Sequence, residues 1–289
     1  MESPSLSDKV GFLESVTDIL GRNPVDFADK AHFIQSTRGT QNEYSAAGVL
    51  LLLYFKPDRL SSSQREGEFT FQLIKRSSTV TQPGDLSCPG GLLHRFFDPL
   101  LRPVIMFNLL PIMQGKARQY ARMRDKETFN TITLFLTNAV RETWEETGLS
   151  PFNITFAGPL PSYTLHFFRR TIFPLVCHVK KEWPFRPNDE VDRIVEIPLS
   201  VFFNASSYGT FIIEMPDEYR TMREGPLEFP CLLFPDRTGD EEILWGATFS
   251  IIMNFLQVVF GLRLPDLLSK RTIRKTLSPA YLTGHIKRS

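Results

Sequence analysis

Cysteine is scarce and scattered in this chain. Cys88, Cys177 and Cys231 are odd in number, far apart and never in a CxxC pair, which argues against both a disulfide framework and a zinc site. Long hydrophobic runs are missing too: no uninterrupted apolar stretch approaches the roughly 20 residues that span a bilayer. Nor does one sign of charge prevail. Lys and Arg number 33 against 32 Asp and Glu, a net +1 that gives no overall argument for nucleic acid or membrane binding. The first residues carry Glu2 and Asp8 without an apolar run, so no secretory signal is expected. The final His-Ile-Lys-Arg-Ser is not the serine-lysine-leucine peroxisomal address. Internal repeats and low-complexity segments are also absent. These absences leave the expectation of a soluble, cytoplasmic protein. Its 289 residues, 42% hydrophobic and 22% charged, suffice for one large domain with additions or two small ones.

What is present centres on Arg141-Glu142-Thr143-Trp144-Glu145-Glu146-Thr147-Gly148-Leu149. On a helix, residues three and four apart share a face, so Glu142, Glu145 and Glu146 converge and Arg141 can pair with Glu145. Ile132, Leu136, Ala139, Val140 and Trp144 form a separate apolar stripe, expected to bury against a sheet while the acids face outwards. Gly148 supplies the C-terminal stop. Three clustered carboxylates repel one another, which calls for a compensating positive charge. A solvated acidic face is the plain alternative.

The run RExxEExG with an apolar residue after it, together with Cys88-Pro89-Gly90-Gly91 upstream, resembles the Nudix box. The chain is therefore identified as similar to Nudix hydrolases. That resemblance implies an α/β fold in which a mixed β-sheet is sandwiched between helices. It also implies Mg²⁺ or Mn²⁺ held by Glu142, Glu145 and Glu146, with the Gly91 carbonyl completing the metal shell. Arg141 would fix the glutamates in place. The implied substrate is a small-molecule diphosphate, with no role for nucleic acid.

The box is interrupted. Arg141 follows Gly91 by 50 positions, and Thr133 stands where a glutamate is expected eight residues before the arginine. Residues 92–130 read as an insertion of one or two helices, since structureless loops of that length are uncommon inside domains. Its first half, Pro99 to Met113, is apolar and proline-interrupted; its second, Lys116 to Arg124, is basic. A cap over the sheet, a homodimer contact, a lid over the substrate mouth and an amphipathic membrane-surface segment all remain open for it.

Around this core, residues 1–45 read as a helical leader with Ser7 as cap and Gly21 as stop. Residues 46–265 read as the main domain. Ala46 to Phe55 has the composition of a strand buried on both faces, and Phe69 to Lys75 alternates as a half-buried strand should. Pro57 to Glu68 is polar and reads as the connection between them. Ile154 to Leu160, Tyr163 to Phe168 and Thr171 to Val179 are rich in β-branched and aromatic residues. Arg169-Arg170 reads as a turn, either solvated or a basic contribution to a phosphate-rich pocket. Residues 266–289 are expected to be a loosely ordered basic tail, with anionic-partner or peripheral lipid contact open.

Three further runs resemble coenzyme A diphosphatases: Arg76-Ser77 with the Pro83-Gly84 step, DEVxxIxEIPLSxF from Asp189, and Trp245-Gly246 leading into a final helix. They bring Arg76, Gly90 and Gly91 forward as substrate-binding residues, and Glu190 as a general base or an exposed loop acid. The pattern departs where an arginine falls on Val80 or Thr81. That leaves three readings: a coenzyme A or acyl-coenzyme A diphosphatase, a Nudix enzyme for ADP-ribose or a dinucleotide, and a non-catalytic nucleotide-binding module.

Overall fold

The computed structural model describes residues 8–57, 67–214, 227–236, 239–267, 271–276 and 281. Helix α1 (Lys9–Arg22) is capped by Asp8, whose carboxylate accepts from the N–H groups of Val10 and Gly11. Ser7, expected as the cap, lies outside the described residues, and the helix passes through Gly21 rather than stopping there. Phe12, Val16 and Leu20 of α1 are fully buried. Helix α2 (Phe27–Ser36) follows, then β1 (Ser45–Pro57) and β2 (Gly67–Arg76), an antiparallel pair. Their connection, 58–66, lies outside the described residues.

The glycine-rich stretch forms two short strands, β3 (Leu86–Ser87) and β4 (Gly90–Leu92). Next come helices α3 (Phe97–Met106), α4 (Gly115–Met123) and α5 (Lys126–Thr147). The expected insertion is thus two helices, and α5 begins inside its last residues. Strands β5 (Ile154–Pro159), β6 (Tyr163–Leu165), β7 (Arg170–Val179) and β8 (Val191–Pro198) complete the main sheet. Arg169 occupies the turn with φ 45°, whereas Arg170 is the first residue of β7, so the expected two-arginine turn is half strand.

The remaining elements are α6 (Leu199–Phe202), β9 (Tyr208–Glu214), β10 (Leu227–Pro235), β11 (Glu241–Trp245), α7 (Gly246–Phe260) and β12 (Arg271–Thr276). The main sheet runs β3-β2-β1-β7-β5, with β4 on β1, β6 on β7 and β8 on β2; among the described residues its one parallel pair is β1–β7. A second sheet, β11-β10-β9-β12, adds a layer that the sequence patterns did not announce. Of the residues expected as a loose tail, 268–270, 277–280 and 282–289 lie outside the described residues, and part of the rest is ordered. Arg271–Thr276 pairs in parallel with β9, and Tyr281 is buried against Trp245.

β1 explains why its sequence is apolar throughout. Val49, Leu51 and Leu53 enter a core shared with α1, α7 and β10, while Leu50, Leu52 and Tyr54 enter a second core built with α2, α4 and α5. A mixed sheet between helical layers is the architecture expected from the sequence. No helix among the described residues is long and apolar enough to cross a membrane.

Candidate active site

Helix α5 starts at Asp125, whose carboxylate accepts the Thr128 N–H at 2.8 Å, and ends at Gly148 in the left-handed conformation, φ 70°. It lies directly on the sheet because Gly48 has no side chain: a Cβ there would come 2.6 Å from the Phe135 carbonyl. The Gly48 N–H instead donates to Asn138 Oδ1 at 2.8 Å. In register with it, Gly48 pairs with Gly91 and Val49 with Gly90. Gly90 adopts φ 139° and sits so close to β1 that a Cβ would fall 2.3 Å from the Gly48 carbonyl oxygen.

That stacking delivers the glycine loop to the acidic helix. The Gly90 N–H donates to Glu146 Oε2 at 2.8 Å, and a Cβ on Gly91 would fall 2.6 Å from the Glu142 carboxyl carbon. Arg141 gathers the other carboxylates. Its Nη2 donates to Glu142 Oε1 at 2.6 Å, and its Nη1 to both oxygens of Glu145 at 3.0 and 3.1 Å.

Two expectations for this helix need correction. Trp144 is 56% exposed, not buried, and Glu146 is buried, not facing outwards. After Val140 the inward face continues through Thr143, Glu146 and Thr147 rather than through Trp144. The Thr147 hydroxyl is satisfied there by donating back along the helix to the Thr143 carbonyl at 2.6 Å, whereas the buried Thr143 hydroxyl has no hydrogen-bond partner among the described residues. Thr133, in the expected glutamate position, is also fully buried and bonds back to the Phe129 and Asn130 carbonyls.

The carboxylate that grips Arg141 comes from elsewhere. Asp98, fully buried on α3, accepts from Arg141 Nε at 2.8 Å and Nη2 at 3.3 Å, from Asn138 Nδ2 at 3.0 Å and from the His94 N–H at 2.7 Å. Sequence reading missed both Asp98 and Asn138. Asp98 is an isolated acid in an apolar run, and nothing local marks it.

Glu190 and Arg76 arrive at the rim. The Arg186 N–H donates to the Thr147 carbonyl and the Asn188 N–H to the Glu146 carbonyl, tying the loop before β8 to the end of α5. The Ser77 N–H donates to the Glu190 carbonyl at 2.9 Å, which joins the end of β2 to that loop. Glu190 is exposed. The Arg76 Nε donates to the Thr81 carbonyl at 2.9 Å. Arg170 is half-buried, and its Nε has no hydrogen-bond partner.

The electrostatics reflect crowding of like charge. Burial raises the pKa of Glu142, opposed by Arg141 and reinforced by Glu145 and Asp98. Burial pushes Glu146 up to about 8, opposed by the Gly90 N–H and Arg76 and reinforced by Glu142 and Glu190. Burial disfavours the Arg141 charge, but Asp98, Glu145 and Glu142 outweigh it and raise its pKa. Burial, then repulsion from Arg76, lowers that of Arg170.

Among the described residues, no three His, Cys, Asp or Glu side chains are drawn together tightly enough to hold an ion as they stand. The donor set nonetheless suits a hard divalent cation. Glu142 and Glu146 are two oxygen donors whose ionised forms repel each other at a spot where backbone approaches without a Cβ.

No family model matches the chain, and no curated protein does. Solved structures that resemble it include a C. elegans Ap4A hydrolase in a binary complex, 12% identical, covering 53% of this chain and 80% of that one with a TM-score of 0.33. A Nudix hydrolase from M. smegmatis is 15% identical, covering 53% and 70%, with a TM-score of 0.32. One from Alicyclobacillus acidocaldarius is 12% identical, covering 55% and 81%, with a TM-score of 0.36. Likenesses of this size assign neither activity nor substrate to the chain.

Proposed function

We propose that the chain is a Nudix-type pyrophosphohydrolase acting on a nucleoside diphosphate derivative. One observation carries the reading. The Gly90 N–H bonds Glu146, 56 positions on, and Gly91 lies against Glu142 so closely that a Cβ would fall 2.6 Å from its carboxyl carbon, so the two halves of the box-like motif meet in space despite the interruption. Glu142 and Glu146, joined by Glu145 and the Gly91 carbonyl, would hold Mg²⁺ or Mn²⁺. When bound, such an ion neutralises diphosphate oxygens and acidifies a water for attack on phosphorus. Arg141 orients the carboxylates. Arg76 and Arg170 supply positive charge for the phosphates, and Glu190 stands near enough to influence Glu146 and to take a proton from the attacking water.

Coenzyme A or an acyl-coenzyme A is the substrate favoured by the flanking runs. Water adds to one phosphorus, the bridging P–O bond breaks, and adenosine 3′,5′-bisphosphate and (acyl-)phosphopantetheine leave. The second reading, ADP-ribose or a dinucleotide, is favoured by Val80 and Thr81 standing where the arginine is expected.

The test is a screen of the purified chain against coenzyme A, acyl-coenzyme A, ADP-ribose and NADH, with Mg²⁺ or with EDTA. Metal-dependent hydrolysis with the highest kcat/KM on a coenzyme A compound is expected. A tenfold preference for ADP-ribose hands the site to the second reading. Full activity in EDTA refutes the metal-assisted reaction, and absence of any hydrolysis leaves a binding module.

A further inference from the structure

The second sheet meets the main one through charge as well as through apolar side chains. Strand alternation puts Leu73 and Lys75 on one face of β2, and Arg193 and Val195 on one face of β8. Leu73 and Val195 enter the core that includes Leu244 of β11. Lys75 and Arg193 stand directly opposite each other in the β2–β8 register. Like charges facing across an antiparallel pair repel. Glu242 of β11, 5% exposed, answers both: its Oε1 accepts from Lys75 Nζ and from Arg193 Nη2, each at 2.6 Å. Arg193 also donates to Asp236 Oδ2 at 2.9 Å, so two cations meet two acids.

This clamp sits next to the candidate site. Arg76 follows Lys75 along β2, and there the register slips: Arg76 pairs with Val191, and Asp192 is passed over. A bulge bends the strands locally and re-aims the side chains beside it. Here that side chain is Arg76, whose charge reaches Glu146. One residue further, the Ser77 N–H donates to the Glu190 carbonyl at 2.9 Å and the Ser77 hydroxyl to the Asp189 carbonyl at 2.7 Å. Glu242 is thus the buried acid that ties β2 to β8 at the last regular pair before the bulge. Without it, two cations would face each other one residue from Arg76.

We propose that Glu242 is a positioning residue for Arg76: by joining Lys75 to Arg193 it sets the end of β2, and with it the guanidinium that meets the substrate's phosphates. The inference rests on the phosphate-binding role given to Arg76 above.

The test is a double-mutant cycle read by calorimetry in Mg²⁺, with the non-hydrolysable diphosphate α,β-methylene-ADP as probe, so it works whether or not the chain turns a substrate over. Arg76→Ala should weaken binding at least tenfold, and Glu242→Gln about fivefold. The double variant should bind no more than about twofold more weakly than Arg76→Ala alone, because Glu242 acts through Arg76. A merely structural acid would cost the same factor in both backgrounds. Circular dichroism checks folding. Lys75→Met keeps the Glu242–Arg193 bond but frees β2; it is run through the same cycle and decides the matter if Glu242→Gln does not fold. Wild-type binding by both variants, or equal losses with and without Arg76, overturns the proposal. Unchanged binding by Arg76→Ala, or none by the wild type, overturns it together with the phosphate role of Arg76. The expected pattern without hydrolysis of any compound in the screen upholds the positioning and removes only the enzymatic reading.

Discussion

Asp98 and Arg141 stand 43 positions apart and meet in a two-point ion pair, Nε to Oδ1 at 2.8 Å and Nη2 to Oδ2 at 3.3 Å. The same guanidinium holds Glu142 and Glu145. Asp98 therefore fixes the arginine that fixes the acids, and it does so from an element outside the box-like motif.

Removing Asp98 should reach the site through Arg141. Asp98→Ala leaves a half-buried guanidinium short of its partner, a loss worth about 3 kcal/mol. The expected outcome is a Tm lowered by several degrees and kcat reduced tenfold or more, with Asp98→Glu recovering part of both. Thermal melts and steady-state kinetics on the substrate found in the screen check this.

The acids themselves should separate by their surroundings. Glu145→Gln and Glu146→Gln are each expected to lower kcat by orders of magnitude while leaving the fold intact. Mg²⁺ should raise the Tm of the wild type by binding the native state. Glu146→Gln should abolish most of that rise and increase the Tm in EDTA near neutral pH, because burial disfavours the ionised carboxylate that the unfolded chain readily forms and Gln has no such form. Equal Mg²⁺-induced shifts in wild type and variant would discard Glu146 as a ligand.

Burial pushes the Glu146 pKa up to about 8 from an ordinary 4.5. A folded-state pKa above the unfolded one means stability that is fully present below about 4.5 and lost as pH rises through about 8. The Tm in EDTA should therefore fall between pH 6.5 and 9, and Glu146→Gln should flatten the slope. Starting at pH 6.5 keeps His178 out of the window, since its pKa is lowered to about 4 by burial and then by Lys9 and Lys180. A wild-type melt independent of pH over this range would count against a buried Glu146.

The two loop glycines should fail differently. Gly90→Ala puts a Cβ at 2.3 Å from the Gly48 carbonyl oxygen, in a φ of 139°, so a large loss of Tm is expected. Gly91→Ala drives its Cβ onto the Glu142 side chain, at 2.6 Å, which a rotamer change can relieve. Gly91→Ala should fold but bind Mg²⁺ at least tenfold more weakly by calorimetry.

Legibility in the sequence followed locality. The α5 acids, their arginine and the Gly148 stop were readable because they lie within two helical turns. Gly90 and Gly91 were readable as a loop, and the family resemblance set the Gly91 carbonyl beside the glutamates, but the Gly90 N–H bond to Glu146 depends on the β1 register and lies in no local pattern. Trp144 was misplaced because apolar character was followed where the buried face had turned to threonine. Asp98 was hidden because its partner is remote. β12, Arg271–Thr276, is exposed along nearly its whole length, so it has no alternating burial and reads as a polar tail.

The parallel pairing of β1 with β7 sets an order of events during synthesis. Ser45 pairs with Arg170, so one neighbour of the apolar run Ala46 to Phe55 is made 125 residues after it. At ribosomal rates of about 5–20 residues per second that is a wait of roughly 6–25 seconds. During it, a β-prone segment with no charge of its own is shielded on that side by nothing the chain has yet produced. Slower translation lengthens this interval, while cooling weakens hydrophobic self-association. Recovery of folded protein should therefore turn on growth temperature and chaperone supply more than on the final stability of the fold.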